Sequence, residues 1–167
     1  MQSFGFPPLA SPTAQVLVLG SLPGRVSIET SEYYANPQNS FWRIAKGYVS
    51  SLPKSYEHRA AWLDDRGVAL WDVLAAATRS GSLDVDIEDD AIANNFRAFF
   101  HAYPHVRLLC FNGATSCKLY RRLVFPTLSE SQRALTQHIL PSTSGANTGM
   151  GFAQKAERWA VVWQQPR

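Results

Sequence analysis

Four short apolar runs limit what this chain can fold into: QVLVL at 15–19, VALW at 68–71, VRLLCF at 106–111 and ALTQHIL at 134–140. Each has the length and bounding of a buried strand. Segments with helical spacing separate them. FWRIAKGYV at 41–49 puts Phe41, Ile44, Ala45 and Tyr48 on one face, and 55–66 reads as a second helix stopped by Gly67. Asp86 is placed to cap a helix over 87–102 that turns Ile92, Phe96, Phe99 and Phe100 inward. Gly113 opens a helix through Val124, and a last helix covers 152–164. The segments 21–40 and 75–86 read as loops, the second centred on Ser80, Gly81 and Ser82. Strands that alternate with helices pair in parallel through crossovers. The expected fold is therefore α/β: a three-layer α/β/α sandwich around a small, mostly parallel four-stranded sheet. Its 167 residues are expected to form one domain.

Composition narrows the function classes. Hydrophobic residues make up 46% and charged residues 17%, which excludes general disorder. No apolar run is long enough to span a membrane, and MQSFGFPPLASP lacks the basic start of a signal peptide. A cytoplasmic monomer is the expectation. The net charge of +3 permits a nucleic-acid partner without demonstrating one. Cys110 and Cys117 read as buried, reduced thiols. His58, His101, His105 and His138 have no metal-ligand pattern, because Pro104 interrupts the i, i+4 spacing of His101 and His105. No metal and no cofactor are expected.

Ligands of open α/β sheets bind beyond the carboxyl ends of the strands. Four loops meet there: 21–40, 72–86, 112–115 and 141–149. GSLPGRVS at 20–27 is a glycine-containing turn directly after a strand. It is neither a Walker loop nor a dinucleotide fingerprint, which argues against a small-molecule nucleotide enzyme. YYANPQNSFW at 33–42 sets aromatics and amides just before a helix that Ser40 is placed to cap. An aromatic face beside a hydrogen-bonding amide is what a base-recognition pocket needs.

The Gly20-Ser21-Leu22-Pro23-Gly24 loop and YYANPQNSFW together resemble the uracil-DNA glycosylase superfamily. WDVL at 71–74, GSLD at 81–84 and LPSTSGAN at 140–147 resemble its hypoxanthine-DNA (deoxyinosine) glycosylase branch, in family order. The resemblance implies hydrolysis of the bond between a deaminated base and deoxyribose. The partner would be double- or single-stranded DNA containing such bases. It also implies roles. Tyr34 stacks on the extruded base, and Ser21, Leu22 and Asn112 belong to the base pocket. Asn39 and Asp72 are the catalytic candidates. Pro141, Ser142, Thr143, Ser144 and Gly145 belong to a loop that grips phosphate and pushes into the duplex.

Departures from the family pattern shape the expected specificity. Leu22 stands where mismatch-specific relatives keep a water-holding Asn. Leu140 stands where classical uracil enzymes keep a His, and Gly145 where a Pro is expected. Uracil or mismatched-thymine excision is therefore disfavoured, and water positioning falls to Asn39, with His138 as another candidate. No pocket lysine suggests a Schiff base, so the expected enzyme is monofunctional. A non-catalytic DNA lesion-binding module is the reading from another class. Arg25, Arg43, Lys46, Arg79, Lys118, Arg121 and Arg122 are possible supports for a basic face. Lys155 and Arg158 are expected to be solvated.

Overall fold

A computed structural model describes residues 1–81, 83–87 and 89–164. Ser82, part of the expected 75–86 loop and of the GSLD motif, lies outside them, as does Glu88. Among the described residues seven strands form two sheets. β2 (Val16–Gly20), β3 (Val68–Asp72), β6 (Leu108–Asn112) and β7 (Thr136–Leu140) build a parallel sheet in the order β3-β2-β6-β7. The inner strands β2 and β6 and the edge strand β3 are almost wholly buried, as continuous apolar runs in a parallel sheet should be. β7 is the other edge, and its TQHIL sequence is mostly exposed.

Alternate side chains of the strands feed two cores. Leu17, Leu19, Leu109 and Phe111 pack with Phe96 and Phe99 of α4 (Phe96–Ala102) and Cys117 and Leu119 of α5 (Ala114–Leu119). Val16, Val18, Leu108 and Cys110 pack on the other face. Their partners are Phe41 of α2 (Phe41–Lys46), Leu63 of α3 (Tyr56–Asp65) and Trp159 of α7 (Phe152–Trp163). These are the expected three layers. Among the described residues no helix is long and apolar enough to cross a membrane.

The structure corrects three local expectations. The segment 21–40 contains a short helix, α1 (Arg25–Thr30), ended by Ser31 in the left-handed conformation. The segment 75–86 is not all loop. β4 (Leu74–Thr78) pairs antiparallel with β1 (Gln2–Phe4) on one side and β5 (Ile92–Ala93) on the other. The expected helix over 87–102 begins only at Phe96, where Asn95 rather than Asp86 supplies the cap, its side chain accepting from the Ala98 N–H at 3.1 Å. Ile92 has helical spacing to Phe96, but pairing with β4 takes it into a strand. A tertiary hydrogen bond outweighs local propensity here.

Candidate active site

A cavity of about 610 Å³ opens beyond the carboxyl ends of the parallel strands. The loops after β2, β3, β6 and β7 all contribute to it, as the sequence suggested. Ser21, Leu22, Tyr34, Asn39, Asp72, Asn112, Ser142, Thr143 and Ser144 line it. Pro141 and Gly145 do not.

Tyr34 stacks on Phe41, with centroids 4.2 Å apart and ring planes 25° from parallel. Its φ of +57° lies in the left-handed region, a conformation that costs a residue with a side chain about 1–3 kcal/mol and tends to collect at functional sites. Burial, then nearby Asp72, pushes its phenol above the ordinary value. The hydroxyl lies buried near the Asn112 amide without a well-formed hydrogen bond. Asn39 has one half of its amide committed: Oδ1 accepts from the Phe41 N–H at 2.9 Å. This makes Asn39, not Ser40, the residue whose side chain caps the start of α2, since Ser40 makes no capping bond. The fixed oxygen sets the amide plane and leaves the Nδ2 donors to the cavity.

Asp72 ends β3 with 4% of its surface exposed, and its Oδ2 has no hydrogen-bond partner. Burial, reinforced by Asp84 and opposed by Arg79, raises its pKa from 3.8 to about 7. Gly20 is required beside it, because a Cβ there would strike the Asp72 carboxylate. The glycine turn therefore makes room for the carboxyl. Asp84 accepts a hydrogen bond from Ser21 Oγ, and burial raises its own pKa. Arg79, expected on a basic surface, is 4% exposed. Its guanidinium donates to the Pro23 carbonyl and to Ser3 Oγ, which ties the GSLPG turn to β4. Burial lowers its pKa while Asp84, Asp72 and Asp86 hold it up.

The expected DNA-facing role of Thr143 does not fit its position. It is fully buried. Its N–H donates to Asn112 Oδ1 at 2.9 Å, and Asn112 Nδ2 donates to its Oγ1 at 2.8 Å. Its carbonyl accepts from the Ser40 N–H at 2.8 Å and from Ser40 Oγ at 3.3 Å. Thr143 thus pins the loop carrying Asn39 to the end of β6, and Asn112 keeps only one N–H for a ligand. Ser142 and Ser144 stay on the cavity wall. The Pro141 carbonyl accepts from Trp159 Nε1 at 2.9 Å and so anchors the loop to α7.

Gly145 works by close packing. A Cβ there would lie 2.8 Å from Gln38 Cβ. Gly145→Ala is therefore expected to lower stability by about 1–3 kcal/mol, the usual cost of overpacking, in thermal unfolding. An unchanged midpoint would show that the 36–40 loop yields freely.

Other side chains fall outside the cavity wall. Lys155, expected to be solvated, is 6% exposed and donates to the Asn147 carbonyl at 2.7 Å. His138 is exposed on β7 and lines no part of the cavity. Leu140 is buried in the core away from the cavity, whereas Leu22, on the cavity wall, is 7% exposed and packs into the core beneath the GSLPG turn. Cys110 and Cys117 are buried and free, and burial pushes the Cys110 thiol up to about 12. Among the described residues no three His, Cys, Asp or Glu side chains are grouped to hold a metal. Sequence reading missed Phe41 as the support for Tyr34, and Leu83 and Val85 on the cavity wall. The phenylalanine was visible in YYANPQNSFW, but its partner was not.

Comparison with known proteins agrees with this geometry. Two relatives named hypoxanthine DNA glycosylase match over nearly their full length. That of Methanosarcina acetivorans is 35% identical, covering 96% of this chain and 97% of its own. That of Methanosarcina barkeri is 36% identical, covering 99% and 100%. A solution NMR structure from Methanosarcina acetivorans, described as a candidate uracil DNA glycosylase, superposes with a TM-score of 0.79 at 35% identity over 97% of each chain. The family model described as the uracil DNA glycosylase superfamily matches residues 7–164. The chain belongs to the uracil-DNA glycosylase superfamily.

Proposed function

We propose that the protein is a monofunctional DNA glycosylase of cytoplasmic base-excision repair, hydrolysing the N-glycosidic bond of deaminated bases with hypoxanthine preferred. The observation that carries this is one cavity uniting the Tyr34 ring, the Asn39 amide and the buried Asp72 carboxyl. Two full-length relatives bear the name hypoxanthine DNA glycosylase.

The extruded base lies on Tyr34, whose ring Phe41 backs. A deaminated base carries a lactam edge, an N–H donor beside a carbonyl acceptor. The protonated Asp72 carboxyl offers the complementary acceptor and donor. Bond cleavage leaves an oxocarbenium-like sugar and puts negative charge on the base. Asn39 Nδ2 donates toward that departing charge. Water then supplies hydroxide to the sugar carbon and a proton to the base, leaving an abasic site. Among the described residues no lysine lines the cavity, which fits hydrolysis without a Schiff base. Ser142 and Ser144 hold flanking phosphate.

Release of free hypoxanthine from deoxyinosine-containing DNA, undiminished by a chelator, is the expected result. Parallel substrates carrying xanthosine, uracil or a T:G mismatch rank the specificity. Uracil is expected to leave more slowly, because Leu22 and Leu140 offer no hydrogen bond to water. Tight binding to deoxyinosine DNA without release of any base would replace this reading with a lesion-binding module.

A further inference from the structure

Two cations meet beside the cavity with no anion between them. Lys155 of α7 is 6% exposed, and its ammonium donates to the Asn147 carbonyl at 2.7 Å. Asn147 lies on the cavity wall. Burial, then the charge of Arg43, lowers the Lys155 pKa, and no carboxylate raises it. Arg43 lies two residues after Phe41, at the end of α2 that Asn39 caps from the cavity side. Its guanidinium sits over the ring of Phe152, 3.9 Å from the centroid. Phe152 and Lys155 are three residues apart on α7, so their side chains share one face of that helix. The ion pair found among the described residues, Arg25 with Glu29, involves neither cation.

Like charges repel most strongly where water is excluded, yet the fold fixes both of these in place. Stacking on Phe152 covers a face of the Arg43 guanidinium. Its N–H groups lie in the guanidinium plane and stay free to donate outward. The Lys155 ammonium has further donors besides the one given to Asn147. A phosphate oxygen between the two cations would accept from both and cancel their repulsion. DNA brings such groups to this place. The cavity takes one nucleotide, so the strand on either side of it has to run across the rim, and Asn147 and Lys155 mark where that rim meets α2.

We propose that Arg43 and Lys155 form a second phosphate site, which holds the backbone of the damaged strand outside the cavity, beyond the phosphate held by Ser142 and Ser144. Such a site sets the register of the strand and reads no sequence. It also couples the DNA backbone to the 141–147 loop, because the phosphate and the Asn147 carbonyl share the Lys155 ammonium. The choice of strand and register rests on the glycosylase reading.

The test reads equilibrium binding to a duplex whose single deoxyinosine carries a 2′-fluorine, which destabilises the oxocarbenium-like sugar and keeps the bond intact. Arg43→Gln alters an exposed position and carries the test, with Lys155→Met as its buried counterpart. Arg122→Gln is the control, on the turn after α5 that packs against the other core. The slope of log affinity against log salt should shrink by about 0.9 in Arg43→Gln, the counterion release of one phosphate, and hold its value in Arg43→Lys and Arg122→Gln. Phosphates of the damaged strand are then replaced one at a time by neutral methylphosphonates on both sides of the deoxyinosine. At one position the replacement should weaken the unaltered protein on the order of tenfold, the scale of a charged hydrogen bond. It should weaken Arg43→Gln and Lys155→Met clearly less. An unchanged salt slope in Arg43→Gln would overturn the site, as would equal weakening of Arg43→Gln and the unaltered protein at every position. An equal loss of slope in Arg122→Gln would overturn it too, reducing the effect to overall charge. A folded Lys155→Met protein that responds in full at that position would overturn the pairing. Normal coupling at one phosphate, with no hypoxanthine released from the unfluorinated duplex, would uphold the site and overturn the glycosylase reading.

Discussion

Asn39→Ala is expected to slow single-turnover excision of hypoxanthine by about a hundredfold or more, the scale of losing one preorganised donor to a developing charge. The structure separates this loss from a folding effect. Asn39 Oδ1 caps the Phe41 N–H, so the alanine variant should also lose about 1 kcal/mol of stability. Asn39→Asp resolves the two roles. The aspartate keeps an oxygen for the Phe41 N–H and removes the Nδ2 donors. If donation from Nδ2 lowers the barrier, Asn39→Asp is as slow as Asn39→Ala while its melting temperature stays near that of the unaltered protein. A fast Asn39→Asp enzyme would show instead that the oxygen works, holding or deprotonating water. Normal rates in the folded fraction of both variants would leave Asn39 as a helix cap and nothing more.

Asp72 should make both stability and activity depend on pH. Its carboxyl titrates near 7 in the fold and near 3.8 when free, chiefly because burial disfavours the charge. Between those values the folded protein holds a proton that the unfolded chain has released. Stability from this group is therefore greatest below about 4, falls as pH rises through the interval, and levels off above about 7. The full loss is on the order of 4 kcal/mol. Asp72→Asn keeps the shape and cannot ionise. It should unfold at a higher temperature than the unaltered protein at pH 8.5, with the difference shrinking toward pH 5. Excision follows the same proton. The unaltered rate should decline as pH rises through about 7, whereas Asp72→Asn should show a flatter profile. Parallel pH dependence of stability in the two proteins would mean that Asp72 is not the titrating group. A rate unaffected by pH 6 to 8 would mean that the base does not need the protonated carboxyl.

Much of the site is legible in the sequence. The four strands were visible because a buried parallel strand must be apolar along its whole length, and local sequence records that directly. Strand order then placed GSLPG, YYANPQNSFW, WDVL and LPSTSGAN on one rim. Nine of the eleven candidates, all but Pro141 and Gly145, line a single cavity. β4 was missed because Leu74–Thr78 carries three alanines and a weak strand signature, and its order comes from partners at Gln2–Phe4 and Ile92–Ala93.

Residue type and spacing alone determined the α/β layering, the rim where chemistry gathers and the family pattern, since each is written in neighbouring residues. Only the tertiary structure decided what each polar group does. Thr143 became a buried pin through Ser40, 103 positions away, and Asn112, 31 positions away. Arg79 became a buried clamp on Pro23 rather than a surface charge, and Lys155 a support for the 141–147 loop. A hydrogen bond needs its partner within about 3 Å, and burial sets a carboxyl's charge. Neither the partner nor the burial is a property of a residue's place in the chain.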